Sequence, residues 1–255
     1  ITVDTLKLWL TELEAFPRMS DAGKVLTARS HLAVRLREAL RVADSSDAAS
    51  WKAVDDVLMS SPPTADERNG VGGFEELLNA RIEFDDMREA TEQGLIDELD
   101  VGHATRVGAP LPDGASCEAI AASWDHTAIA TEALQSAIAE VEAFPRGSEF
   151  GASLANRGRV ALAVREALAE ATFRSAASWT DLLGALELAS RVLSADDLAA
   201  FDELGDAQDE LNDARCYMEQ AVREAMADGG SVRQAEFQWS HDSIQVEPLK
   251  RALAE

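Results

Sequence analysis

The residues of this chain best placed to do chemistry are a run of acids, Asp85-Asp86-Met87-Arg88-Glu89. On a helix, Asp85 and Glu89 lie one turn apart on one face, with Asp86 beside them. Hard carboxylate oxygens arranged in this way hold Mg²⁺ against a diphosphate. A related stretch, Asn212-Asp213-Ala214-Arg215-Cys216 with Glu219, follows later. The histidines are His31, His103, His126 and His241, of which only His126 and His241 hold equivalent positions, each two residues after a tryptophan (Trp124, Trp239). A metal-binding or catalytic histidine needs a second ligand or a carboxylate beside it. The sequence brings none, so Trp124 and Trp239 are expected to fill sockets between structural units. His126 and His241 then hydrogen-bond a loop or cap the next helix. There is no P-loop, GxGxxG or GxSxG, and Asp202-Glu203-Leu204-Gly205-Asp206 lacks calcium-loop spacing. No catalytic, metal or cofactor-binding residue is assigned, and no cofactor is expected.

The Asp85–Glu89 run resembles the Asp-rich magnesium motif of all-helical isoprenoid synthases. The 212–219 stretch loosely resembles the second metal motif of terpene cyclases, with its glutamate one residue early. The resemblance implies a metal-dependent helical enzyme using Asp85, Asp86 and Glu89. Three features weigh against it. The two motifs occupy one repeated position rather than facing walls, aromatics are only 5% of the chain, and no cluster of bases stands ready for a diphosphate. The enzyme reading is therefore the alternative.

The elements that must position these residues are duplicated. Glu14-Ala15-Phe16-Pro17-Arg18 recurs as Glu142-Ala143-Phe144-Pro145-Arg146, a shift of 128 positions. At the same shift Arg37-Glu38-Ala39-Leu40 falls on Arg165-Glu166-Ala167-Leu168, and Ala48-Ala49-Ser50-Trp51 on Ala176-Ala177-Ser178-Trp179. The shift then becomes 127, placing Leu77 on Leu204, Arg88 on Arg215 and Arg106 on Arg233. Extra residues rich in Gly, Pro and Ala form a loop insertion at about 104–122, after which Trp124-Asp125-His126 meets Trp239-Ser240-His241. The expected domains are module 1 at 1–128, module 2 at 129–243, and at 244–255 the opening helix of a third. The chain lacks an initiator methionine and starts where a Trp-x-His should just have passed, so it reads as a slice of a longer array.

Each module is expected to be four helices. The first (about 4–16) ends at Pro17 or Pro145, because proline cannot continue a helix and restricts the residue before it. Phe16 and Phe144 plug the bundle there. The second (about 20–43) starts at Ser20 or Ser148 as N-cap. Its seam is Ala22, Leu26, Arg29, Ala33, Leu36, Leu40, Ala43, matched by Phe150, Leu154, Arg157, Ala161, Val164, Leu168, Ala171. The short third helix is capped by Ser50 or Ser178. The long fourth begins near Phe74 in one copy and runs from Ser194 to Asp228 in the other. Arg29, Arg88, Arg157 and Arg215 fall in the apolar seams; either acids from adjacent helices reach them or their heads snorkel out. A non-helical return follows, with no second strand to pair with it. The fold class is thus all-α: two tandem four-helix modules of long antiparallel helices plus the first helix of a third.

Composition bounds the function. The net charge is −24, with the fourth helices especially acidic, which argues against nucleic acid and anionic membrane partners. No apolar run is long enough to span a bilayer. Two cysteines, Cys117 and Cys216, without CxxC spacing point to a reducing, cytoplasmic location. The expected function is a non-enzymatic scaffold, spacer or filament segment. Its expected partners are proteins, basic ones included, and neighbouring repeats. An acidic adaptor for a basic partner is a further alternative.

Overall fold

The structure, a computed structural model, describes residues 2–60, 75–108, 111–112, 114–199, 201–228, 232–233, 239–240 and 250. The fold is all-α with helical-bundle character. The helices are α1 (Val3–Glu14), α2 (Asp21–Val42), α3 (Lys52–Met59), α4 (Glu75–Leu99), α5 (Cys117–Ala121), α6 (Glu132–Ala143), α7 (Glu149–Glu170), α8 (Thr180–Val192), α9 (Ala195–Ala199) and α10 (Asp202–Asp228). Short 3₁₀ turns, Ala48–Trp51 and Ala176–Trp179, lead into α3 and α8. The expected helix at 244–255 lies outside the described residues.

The chain forms two compact units, residues 1–96 with 136–155, and 97–135 with 156–255. Each unit therefore combines segments from both sequence repeats, a division different from the one at 128/129. In the first unit the core gathers Leu36, Trp51, Val54, Leu77, Phe84 and Phe144. Phe84 sits at its centre, with the Trp51 ring edge-on at 6.3 Å and the Phe144 ring tilted at 5.0 Å. In the second unit Leu134, Val160, Ala161, Val164, Leu168, Leu182 and Phe201 are buried.

Local chemistry sets the element ends. Ser20 Oγ accepts from Gly23 N at 3.0 Å and Ser148 Oγ from Gly151 N at 2.7 Å, so both expected caps are present. Ser50 and Ser178 do not cap the third helices. Asp47 caps the first 3₁₀ turn through Ala49 N. Ser50 Oγ instead accepts from Asp44 N at 2.7 Å, and Ser178 Oγ from Thr172 N at 2.9 Å. Each hydroxyl also donates back, to Asp47 O and to Ser175 O. Beside them Trp51 Nε1 donates to Asp44 O at 3.0 Å and Trp179 Nε1 to Thr172 O at 2.9 Å. The two serines thus latch the loop after α2 or α7, because their hydroxyls satisfy loop groups that no helix can.

Three further expectations are corrected. The fourth helix of the second repeat is broken. Ser194 caps the short α9 through Asp197 N at 3.1 Å, and α10 restarts at Asp202 after the buried Phe201. The insertion is not wholly loop, since Ser116 caps α5 through Ala119 N. The return segments do find partner strands. β1 (Thr105–Arg106) pairs antiparallel with β2 (Trp124–Asp125), and β3 (Val232–Arg233) with β4 (Trp239–Ser240). Strands of two residues are too short to show alternation, which is why the pairing was illegible in the sequence.

Candidate functional site

In the second unit the β1–β2 hairpin grips α10. Arg106 and Trp124 face each other across the hairpin. Asp213 Oδ2 accepts from Trp124 Nε1 at 2.9 Å and from Arg106 Nη2 at 2.6 Å. The Arg106 guanidinium lies over the Trp124 ring, 4.8 Å from its centroid. Asp125 Oδ1 accepts from the Thr127 hydroxyl at 2.7 Å and from Thr127 N at 2.8 Å, and these bonds hold Asp125 below the usual carboxylate range. His126 Nε2 then meets Glu210 Oε1 at 2.5 Å. So Trp124 fills a socket and His126 bonds a neighbouring helix rather than a loop. Trp239 lies on β4, and His241 lies outside the described residues.

Glu210 is fully buried, and its Oε2 has no hydrogen-bond partner. Such a carboxylate favours a cation beside it. The hydrogen bond to Glu210 raises the His126 pKa above the ordinary histidine value, burial opposes, and the charges of Glu210 and Asp125 add to the rise. A raised folded pKa contributes stability at pH below the unfolded value, lost as pH climbs through the folded one. Stability is therefore expected to fall as the pH rises past the ordinary histidine value and through the raised folded one, and His126→Asn is expected to flatten that slope in thermal melts. An unchanged slope in His126→Asn would show that another group titrates.

One turn back on α10, burial raises the Asp206 carboxyl, Asp209 and Asp202 add to the rise, and His103 and Arg106 oppose it. His103 Nδ1 is buried without a hydrogen-bond partner. Burial, with the charge of Glu224, also pushes the Cys117 thiol up, the opposite of what an activated nucleophile needs.

A second charge of the second unit with no exposed surface is Arg165 on α7. It pairs bidentately with Glu203, at 2.9 Å through Nε and 3.0 Å through Nη2. Nη1 donates to Glu98 O and Ala130 O, and Nη2 to Leu99 O, each at 3.2 Å. All five donors of the guanidinium are used. Two of the acceptors are the last carbonyls of α4, where a cation also meets the negative end of the helix dipole. Gly102 makes room for this arrangement. Its φ is +75°, and a Cβ there would stand 2.9 Å from Ala130 Cβ and 3.2 Å from Arg165 Nη1. In the first unit the repeat-equivalent Arg37 forks onto Glu76 in the same way, its Nη2 3.1 Å from Glu76 Oε2.

The first unit holds a second arrangement, between α6 with the start of α7 and the surface of α3 and α4. Phe144 packs on Phe84, and Arg146 lies over the Phe84 ring at 5.1 Å while pairing with Asp55. Glu140 Oε2 accepts from Ala48 N at 2.8 Å, and Ser148 donates to Glu92. Arg146 reaches this position with φ at +54°, a left-handed conformation rare outside glycine. An open cleft of about 400 Å³ adjoins it, lined among others by Phe84, Asp85, Arg81, Arg88 and Arg146. The sequence showed no basic cluster, but the fold assembles one from α4 and the chain after α6. All three arginines are engaged, Arg88 with Asp85 at 3.0 Å.

No known protein family, curated protein or solved structure matches this chain.

The expected site residues divide accordingly. Phe144 is buried with Pro145 beside it, whereas Phe16 and Pro17 are exposed, so Phe16 plugs nothing in its own unit. Of the seam arginines, Arg157 pairs with no acid among the described residues. Its guanidinium lies 4.5 Å over Phe201, with Nε buried and without a hydrogen-bond partner. Arg29 and Arg215 are exposed, and Arg88 pairs within its own helix. Asp86 and Glu89 are exposed, Asp85 is held by Arg88, and among the described residues no three His, Cys, Asp or Glu side chains converge on a metal position. Asp213, the twin of Asp86, receives the hairpin instead. Sequence reasoning missed Arg37–Glu76 and Arg165–Glu203. The available signal was that both the arginine and the glutamate are identical in the two repeats. Among the described residues no helix is long and apolar enough to cross a membrane.

Proposed function

We propose that this chain is a non-enzymatic structural segment built on a tandem helical repeat, serving as a scaffold, spacer or filament component through protein–protein contacts. The observation that carries this reading is a set of three duplicated fasteners. The Arg–Glu fork, the serine latch and the tryptophan-to-carbonyl bond recur atom for atom at repeat-equivalent positions. The same side chains holding one helix to the next inside both repeats fit an array of like units. Two free cysteines fit a reducing intracellular setting.

One observation favours the metal-dependent alternative, namely Asp85 at the cleft beside three arginines. The two readings part on divalent cations. A ligand at a hundred times its Kd stabilises the folded state by about 2.7 kcal/mol, several degrees in Tm. A scaffold is expected to melt at the same temperature in millimolar Mg²⁺ and in EDTA, with no binding heat by calorimetry. A Mg²⁺-dependent rise in Tm that Asp85→Asn removes would replace the scaffold reading with the enzyme one.

A further inference from the structure

The cleft beside the Phe84–Phe144 stack lies within the first unit, and its walls carry the charge opposite to that of the chain around it. Arg81, Arg88 and Arg146 line it, with one acid among the described residues, Asp85. Arg81 and Arg88 are seven residues apart, which puts them on one face of α4 about 10 Å apart along its axis. Phe84 stands between them, and Arg146 lies over the Phe84 ring from the chain after α6. The left-handed backbone of Arg146 is a costly conformation that persists where the surroundings fix the residue, here through its pair with the buried Asp55.

Two of these arginines direct donors at partners that an incoming oxyanion outcompetes. Arg146 Nη1 donates to Met59 Sδ at 3.2 Å, and a thioether is a weak acceptor. Arg88 pairs with Asp85 at 3.0 Å, but the two side chains are 26% and 56% exposed, so the pair contributes little. A hydrogen bond from a guanidinium to a phosphate oxygen is stronger than either, and the guanidinium fork fits it in two places at once. The second repeat keeps the fasteners and drops these residues. Gln208, Leu211 and Asn212 stand where Arg81, Phe84 and Asp85 stand, and Arg215, the twin of Arg88, is exposed. The shared helical architecture therefore does not account for the cluster.

We propose that this cleft binds a small phosphate monoester carrying an apolar group, without a metal ion. Charge selects the headgroup. Arg146 is balanced by Asp55, and once the ligand displaces Asp85 the cleft presents the two positive charges of Arg81 and Arg88. A phosphate dianion matches them and a carboxylate does not. The apolar group packs on Met59, an exposed and adaptable side chain. A volume of about 400 Å³ suits a ligand of this size. The site adds a ligand to the scaffold reading without depending on it. It also differs from the magnesium reading, in which Asp85 is a ligand rather than a competitor.

The probe is phenyl phosphate, titrated in EDTA at physiological ionic strength over about 0.1–10 mM and followed by ligand-detected NMR, with inorganic phosphate and benzoate for comparison. A dissociation constant on the order of 1 mM is expected for phenyl phosphate, and at least about fivefold weaker binding for the other two, each of which lacks half of the recognised group. Arg81→Gln and Arg88→Gln are each expected to weaken binding at least about tenfold, the effect of losing a charge-assisted hydrogen bond. Asp85→Asn is expected to tighten it about two- to fivefold, because a competing carboxylate is gone. Melting curves without ligand establish that the variants fold, and Asp85→Asn, at an exposed position, keeps the test decisive if an arginine variant does not. The proposal is overturned by the absence of saturable phenyl phosphate binding up to about 10 mM, by inorganic phosphate binding as tightly, by indifference to both arginine variants, or by weaker binding in Asp85→Asn. Binding that appears only with Mg²⁺ would overturn it as well and support the enzyme reading instead. A chain that binds no phosphate at all leaves the scaffold reading standing.

Discussion

Arg165→Ala is expected to destabilise the protein by about 3–5 kcal/mol, the range for breaking a buried ion pair by removing one partner. The loss is large because Glu203 is also buried and is left without its partner. Three backbone carbonyls, Glu98 O, Leu99 O and Ala130 O, lose their donors at the same time. Arg165→Lys is expected to recover only part of this, since an ammonium has three donors and cannot fork onto the carboxylate. The control is Arg37→Ala. Arg37 makes the same fork on Glu76, but its side chain is 32% exposed, so a loss of about 1 kcal/mol is expected. Urea denaturation of the three variants at neutral pH measures the contrast. Replacing Arg165 by Met together with Glu203 by Leu is expected to regain much of the loss, because no stranded charge remains. An Arg165→Ala chain within about 1 kcal/mol of wild type would mean that water reaches Glu203 and that the node contributes little.

Phe144→Ala and Phe16→Ala are expected to differ by about 3–4 kcal/mol although the two phenylalanines sit in the same pentapeptide. Phe144 closes a three-ring stack with Phe84 and Trp51. Removing it takes away buried area and opens a cavity that α4 and α6 cannot close, since Phe84 is also held by Arg146 and Trp51. The expected cost is about 3–5 kcal/mol. Phe16 faces water, and truncation there is expected to fall within about 0.5 kcal/mol of wild type at low protein concentration. Equal losses at both positions, measured by thermal or urea denaturation, would show that Phe16 is covered in solution.

Much of the architecture was legible because it depends on local rules. Helix-favouring composition, the later part of the heptad seam (Ala33 and Leu36 on α2; Leu154, Ala161, Val164 and Leu168 on α7), the serine caps at Ser20 and Ser148 and the stops before Pro17 and Pro145 all act within a few residues, whereas the seam's first positions Ala22, Leu26, Arg29 and Phe150 are exposed. The duplication was legible because it is written in identities, above all Glu-Ala-Phe-Pro-Arg and the Trp-x-His pair. The serine latch was misread as a cap because Ser50 and Ser178 stand just ahead of helices, and only the fold shows that their hydroxyls turn backwards. The break before α10 was hidden because Ala199 to Asp202 carries no glycine or proline.

What the sequence determined alone is the all-α class, the repeat and the charge. Tertiary structure decided which of two identical motifs does what. Phe16 and Phe144, Arg37 and Arg165, Asp86 and Asp213 are pairs of the same residue in the same local context, yet one member is buried or bonded and the other exposed or less enclosed. Local propensity cannot separate them, because the difference lies in what another part of the chain lays against each. The Asp-rich run shows the same thing. Its spacing on one helix allowed a metal site, but metal binding needs ligands converging from several elements, and the fold leaves Asp86 and Glu89 facing water while their repeat position on α10 receives a tryptophan and an arginine.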